Sequence, residues 1–123
     1  MSDANHLFMD SLHDHDGLLE ITFSDYSNNS VTARYKAVFQ SFPAYRNIDE
    51  SYRLGLWKRR DELTNARQLG WTFIVPDSPW VQEFKGEPIL EAFYPGIVHY
   101  VMATENDVIE VLSEQQPGVE RMD

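Results

Sequence analysis

The chain has 123 residues, of which 42% are apolar and sixteen aromatic, enough to bury roughly two-thirds of the unfolded surface as one domain and so to exclude a disordered chain. Twenty acids against ten bases give a formal charge of −10, which repels phosphate backbones and anionic bilayers and argues against nucleic-acid or membrane binding. The absence of cysteine excludes disulfides, thiolate catalysis and cysteine-ligated metal sites.

The charge is uneven along the chain. Residues 31–70 carry eight bases and four acids, whereas residues 71–123 carry ten acids and two bases and residues 1–20 five acids and no base. A basic centre between acidic ends either compensates its charges within the fold or polarises a surface that orients a partner. The start, Met1-Ser2-Asp3-Ala4, lacks the basic and apolar pattern of a secretory leader, and no window approaches ~18 consecutive apolar residues. The expectation is a cytoplasmic protein.

In chain order, residues 5–13 read as a weak helix with Leu7, Phe8 and Leu12 on one side, ended by Gly17, and residues 1–16 as a segment of low order. Leu19, Ile21 and Phe23 alternate with polar neighbours, and so do Ala33, Tyr35, Ala37 and Phe39. Two antiparallel strands around a turn at 24–30 are expected. A long helix is predicted from Ile48 to Leu69, capped by Asn47 with Glu50 completing a capping box. Ile48, Tyr52, Leu56, Leu63 and Ala66 form its buried face at about 100° per residue, and Arg59 falls inside that arc. Residues 71–75 read as a strand and Pro79–Phe84 as a short helix capped by the preceding residues. Residues 89–96 are ambiguous between strand and ordered loop. Residues 97–103 are an apolar strand, Thr104 with Asp107 opens a second capping box and a C-terminal helix, and residues 119–123 fray. The resulting architecture is α+β over residues 1–123: a mostly antiparallel sheet of about four or five strands, with the long helix and the C-terminal helix packed on one face.

No motif of high specificity for catalysis or a cofactor occurs, and no cofactor is expected. His13 and His15 point the same way in an extended chain, as a chelate needs, but two imidazoles lack a third ligand, so no metal site is assigned. His99 lies in the most apolar strand and could act as a base if a carboxylate oriented it. Glu91 and Glu105, its nearest carboxylates in sequence, suggest no triad. Arg53, Arg60 and Arg67 recur every seven residues along one edge of the long helix, while Leu54 and Trp57 lie away from its apolar arc and offer an anchor for a partner or a second copy. Trp80, Phe84, Phe93 and Tyr94 occupy a 77–96 connection longer than packing requires.

These features favour a small acidic protein-binding or regulatory domain, of inhibitor, immunity or accessory type, more than an enzyme. Its candidate surface is the long helix, through Arg53, Leu54, Trp57, Arg59 and Arg60, together with the aromatic 77–96 connection; homo-oligomerisation through Leu54 and Trp57 is compatible with it. The alternative is a small-molecule-binding domain or enzyme whose aromatic pocket, formed by Trp71, Trp80, Phe93, Tyr94 and Tyr100, contains His99 and Arg59. A deep cavity in which His99 and Arg59 converge with an acid beside them would favour the second, and a flat or convex face carrying Trp57 or Trp80 the first.

Overall fold

In a computed structural model, which describes residues 6–27, 29–49 and 72–122, those residues form eight strands and two short helices. They follow the order β1 (Leu7–His15), β2 (Leu18–Ser27), β3 (Ser30–Phe39), β4 (Ala44–Asp49), β5 (Thr72–Val75), α1 (Pro79–Glu83), α2 (Pro88–Phe93), β6 (Val98–Ala103), β7 (Asp107–Ser113) and β8 (Gly118–Arg121). The strands make two antiparallel four-stranded sheets, ordered β1-β2-β3-β8 and β4-β7-β6-β5. The described part is therefore mostly β, and the expected α+β architecture is overturned: neither helix reaches seven residues.

The β2–β3 hairpin forms as its alternation predicts. Leu19, Ile21 and Phe23 are fully buried, opposite Phe39, Ala37 and Tyr35. The turn expected at 24–30 shrinks, because both strands continue until Ser27 faces Ser30, with Asn29 at φ 64.

Four segments expected to be helical, mobile or frayed are strands in whole or in part. Residues 5–13 fall mostly in β1, which pairs with β2 through a bulge between Met9 and Ser11. The bulge shifts the inward positions from Leu7 and Met9 to Leu12, so a strand acquires spacings of two and then three that imitate a helical face. The β1–β2 loop is Asp16-Gly17, both with positive φ (50° and 77°), as a two-residue hairpin turn requires. Asn47 and Ile48, assigned above to the cap and first turn of the long helix, lie in β4 opposite Ile109 and Val108. Asp49 ends the same strand, and residues 50–69 of that predicted helix lie outside the described residues. The C-terminal helix is β7: the Thr104 hydroxyl accepts from the Asp107 amide (3.0 Å), as a capping box would require, but the Thr104 amide also donates to the Asp107 carbonyl (2.8 Å) and closes a hairpin to β6. One hydroxyl-to-amide bond serves a helix start and a tight turn equally. The following Val108, Ile109, Val111 and Leu112, largely β-branched, suit the strand. Residues 118–121, partly expected to fray, form β8 beside β3, supported by a Lys36–Glu120 ion pair at 3.3 Å.

The sheets share a core of Leu7, Leu19, Ile21, Phe23, Ala37 and Phe39 against Met102, Ile109 and Val111. Strand parity sends Phe73, Val75, Val101, Ala103 and Val108 to the opposite side of the second sheet, where they form a separate buried cluster. Because β7 is covered on both faces, its residues from Val108 to Ser113 are all buried, which produces a continuous apolar run in place of alternation. Residues 89–96, ambiguous in sequence, contain most of α2.

Candidate functional site

The one carboxylate inside that run is Glu110, which is fully buried. Its central strand places Arg46 of β4 directly opposite and His99 of β6 on the diagonal, both within reach of a long side chain. Arg46 donates from Nε to Oε2 and from Nη2 to Oε1, each at 3.1 Å. This bidentate fit matches the planar guanidinium to the carboxylate. His99 Nε2 lies 2.7 Å from Oε1, and its Nδ1 lies 2.7 Å from the Ser78 hydroxyl.

Ser78 arrives from β5 through Pro76-Asp77, with Asp77 at φ 51, and is the N-cap of α1. Its oxygen accepts the Val81 amide at 3.2 Å while Pro79 occupies the first turn, the arrangement its sequence predicts. The proton order follows from the partners. A carboxylate only accepts, so Nε2 carries the hydrogen toward Glu110, leaving Nδ1 to accept from the Ser78 hydroxyl. The Ser78 hydroxyl, both ring nitrogens of His99 and both carboxylate oxygens of Glu110 then have a partner. Trp80 closes it from outside: its ring meets His99 edge-on at 5.2 Å, and the Arg46 guanidinium carbon sits 4.1 Å from its centroid.

Ser78 and His99 also line a pocket of about 640 Å³ between β5, β6 and the two helices, within the range of small-molecule sites. Val81, Phe84, Leu90 and Tyr94 give it half-buried apolar walls, and Asp77, Gln82, Lys85 and Glu91 are its exposed polar groups.

The candidates read from sequence therefore separate. His99, Phe84 and Tyr94 line the pocket. Trp80 covers the polar chain, Phe93 is 71% exposed on α2, and Tyr100 packs between the sheets with Phe39, ring centroids 5.9 Å apart. Burial raises the Tyr100 phenol above its ordinary value. Arg53, Leu54, Trp57, Arg59, Arg60, Arg67 and Trp71 lie outside the described residues. Sequence reasoning missed Arg46 and Glu110, and took Ser78 only as a cap. A lone acid within Val108-Ile109-Glu110-Val111-Leu112 was the available signal, since a buried charge demands a partner.

His13 and His15 share one side of β1 with ring centroids 6.0 Å apart. Among the described residues no group of three or more His, Asp or Glu side chains is placed to hold a metal ion. His15 instead bonds Glu20 (3.0 Å) and Asp16 (3.4 Å). The Glu20 bond, then the Asp16 bond, raises His15 above its ordinary 6.5, and His15 lowers Glu20 below 4.5. The stabilisation from His15 is complete below 6.5 and lost as pH rises through its raised value, while that from Glu20 is complete above 4.5 and lost as pH falls through its lowered value. Both act fully between 4.5 and 6.5. A proton NMR titration should place the His15 midpoint above 6.5, and Glu20→Gln should bring it down; a wild-type midpoint that Glu20→Gln leaves in place contradicts the pairing.

No helix of the described residues is long and apolar enough to cross a membrane. Comparison of the chain with protein-family models, curated proteins and solved structures gives no match.

Proposed function

We propose that the cleft between β5–β6 and α1–α2 binds a small, largely apolar molecule, with Ser78 and His99 as the polar end of the site. One observation carries this reading: a continuous hydrogen-bonded chain from Arg46 through the buried Glu110 and His99 to Ser78 ends in the wall of a pocket of about 640 Å³. Buried ionic groups seldom add stability over apolar side chains of the same volume. Their presence beside a pocket favours ligand recognition over packing. The net charge of −10 disfavours an anionic ligand.

A second reading, the protein-binding one, is favoured by Ile89 and Phe93, which are 75% and 71% exposed one turn apart on α2. Such anchors suit a neutral or basic partner. The neutral fluorescent probe N-phenyl-1-naphthylamine separates the two. Saturable binding of one probe per chain is expected, weakened about tenfold or more, or ~1.4 kcal/mol, when Val81→Trp fills the pocket. The double variant Ile89→Ser, Phe93→Ser should bind as wild type does. Loss of probe binding in the α2 variant with no effect of Val81→Trp would move the site to the α2 surface.

A further inference from the structure

We propose that Ser78, His99 and Glu110 form an acyl-transfer centre that hydrolyses small, neutral carboxylic esters, with Ser78 as nucleophile and His99 as general base. This rests on the pocket reading above and gives that pocket a reaction. Three observations support it.

The first is the order of the groups. A serine hydroxyl meets one imidazole nitrogen at 2.7 Å and a carboxylate meets the other at 2.7 Å, the nucleophile, base and orienting acid that serine-based acyl transfer needs. Either ring nitrogen can take the proton, provided that the other is held by the acid.

The second is the division of labour on Ser78. Capping α1 uses a lone pair of Oγ to accept from the Val81 amide, and the hydroxyl proton is committed separately to His99. An aspartate caps a helix equally well but has no proton to give the imidazole. The bond to His99 thus asks for something that capping does not.

The third is placement. Ser78 and His99, though only 3% and 4% exposed, lie in the pocket wall, whereas Glu110 is fully buried and is not among the residues that line it. Glu110 is therefore a positioning residue, held by Arg46, which fixes the imidazole and stabilises the imidazolium formed when His99 takes the proton.

The reaction closes in two halves. Ser78 Oγ bonds the ester carbonyl carbon as its proton passes to His99 Nδ1; the ester C–O bond then breaks, and the leaving alkoxide takes that proton. Water next adds to the acyl-Ser78 carbonyl and gives a proton to His99, which returns it to Ser78 Oγ as the carboxylic acid departs. The half-buried apolar walls suit a short acyl chain, and Gln82 and Lys85, which line the same pocket, carry N–H donors of the kind that stabilise a carbonyl oxygen as its charge develops.

The test uses the intact protein with p-nitrophenyl butyrate and a fluorophosphonate label, located by peptide mass spectrometry. The expected result is one label per chain on Ser78 and p-nitrophenolate release above that of the same protein unfolded in denaturant. Ser78→Ala should abolish labelling, and both Ser78→Ala and His99→Gln should lower turnover by roughly a hundredfold or more, with folding checked by circular dichroism. Glu110→Gln should lower kcat with KM unchanged; a change in KM alone would remove its positioning role. Wild-type protein that is unlabelled at Ser78, or labelled there equally when unfolded, overturns the proposal without reference to any variant. If N-phenyl-1-naphthylamine still binds in that case, acyl transfer fails and the pocket reading stands; if the probe does not bind either, both fail.

Discussion

Replacing Glu110 by leucine is expected to destabilise the protein by about 3–5 kcal/mol, measured as a shift in the urea midpoint at unchanged m-value. The leucine is close to the glutamate in volume, so the loss is electrostatic and not a cavity effect. Glu110 is the hub of the polar chain: it accepts two bonds from Arg46 and one from His99. Its removal strands donors on both sides, and His99, 4% exposed, has almost no water to turn to. Arg46→Met takes the guanidinium from a carboxylate that stays fully buried, whereas Glu110→Leu leaves an arginine that is 37% exposed and can turn to solvent. A cost at least as large, about 3–5 kcal/mol, is therefore expected for Arg46→Met. Either single variant within about 0.5 kcal/mol of wild type would contradict the buried pair. The double variant should lose less than the sum of the singles, because apolar replacement of a whole buried pair avoids the orphaned charge.

Phe39→Ala should cost a similar ~3–5 kcal/mol, for a different reason. Phe39 is 1% exposed in the core between the sheets, where it meets Leu19 of the neighbouring strand in register and Tyr100 of the facing sheet. Truncation removes the ring's burial and leaves a cavity that two hydrogen-bonded sheets cannot close. Phe93→Ala is the control, since its ring is 71% exposed. Urea unfolding should find it within about 0.5 kcal/mol of wild type. A Phe39→Ala variant as stable as Phe93→Ala would mean that the sheets do not share the core described.

The elements that were legible in the sequence are those whose signal is local and complete. Leu19, Ile21 and Phe23 alternate without interruption, and their strand is where the alternation places it. Ser78-Pro79 begins a helix because the cap and the proline act within one turn. The misread elements carry local signals that two structures share. The bulge after Met9 made β1 imitate a helical face, and Thr104 closes a hairpin with the amide bond that a helix start would use. Asp16-Gly17 carries a hairpin signal of its own, but a helix over residues 5–13 leaves it no preceding strand to turn.

For the site, the apolar strand around His99 and the length and aromatic residues of the 77–96 connection were the signals, and His99 lines the pocket together with half of that connection's residues. Nothing in the spacing of Arg46, Ser78, His99 and Glu110 announces that they meet. They are collected because β7 runs between β4 and β6, a pairing set by long-range hydrogen bonds and burial. By itself the sequence determined the charge of −10, the absence of thiol chemistry and those elements whose period or cap is self-contained. Only the tertiary structure decided that residues 107–113 are a strand and that their one acid joins an arginine to a histidine. The reason is physical: turn and cap hydrogen bonds are satisfied within a few residues, whereas the partner of a buried charge is chosen by which strands lie side by side.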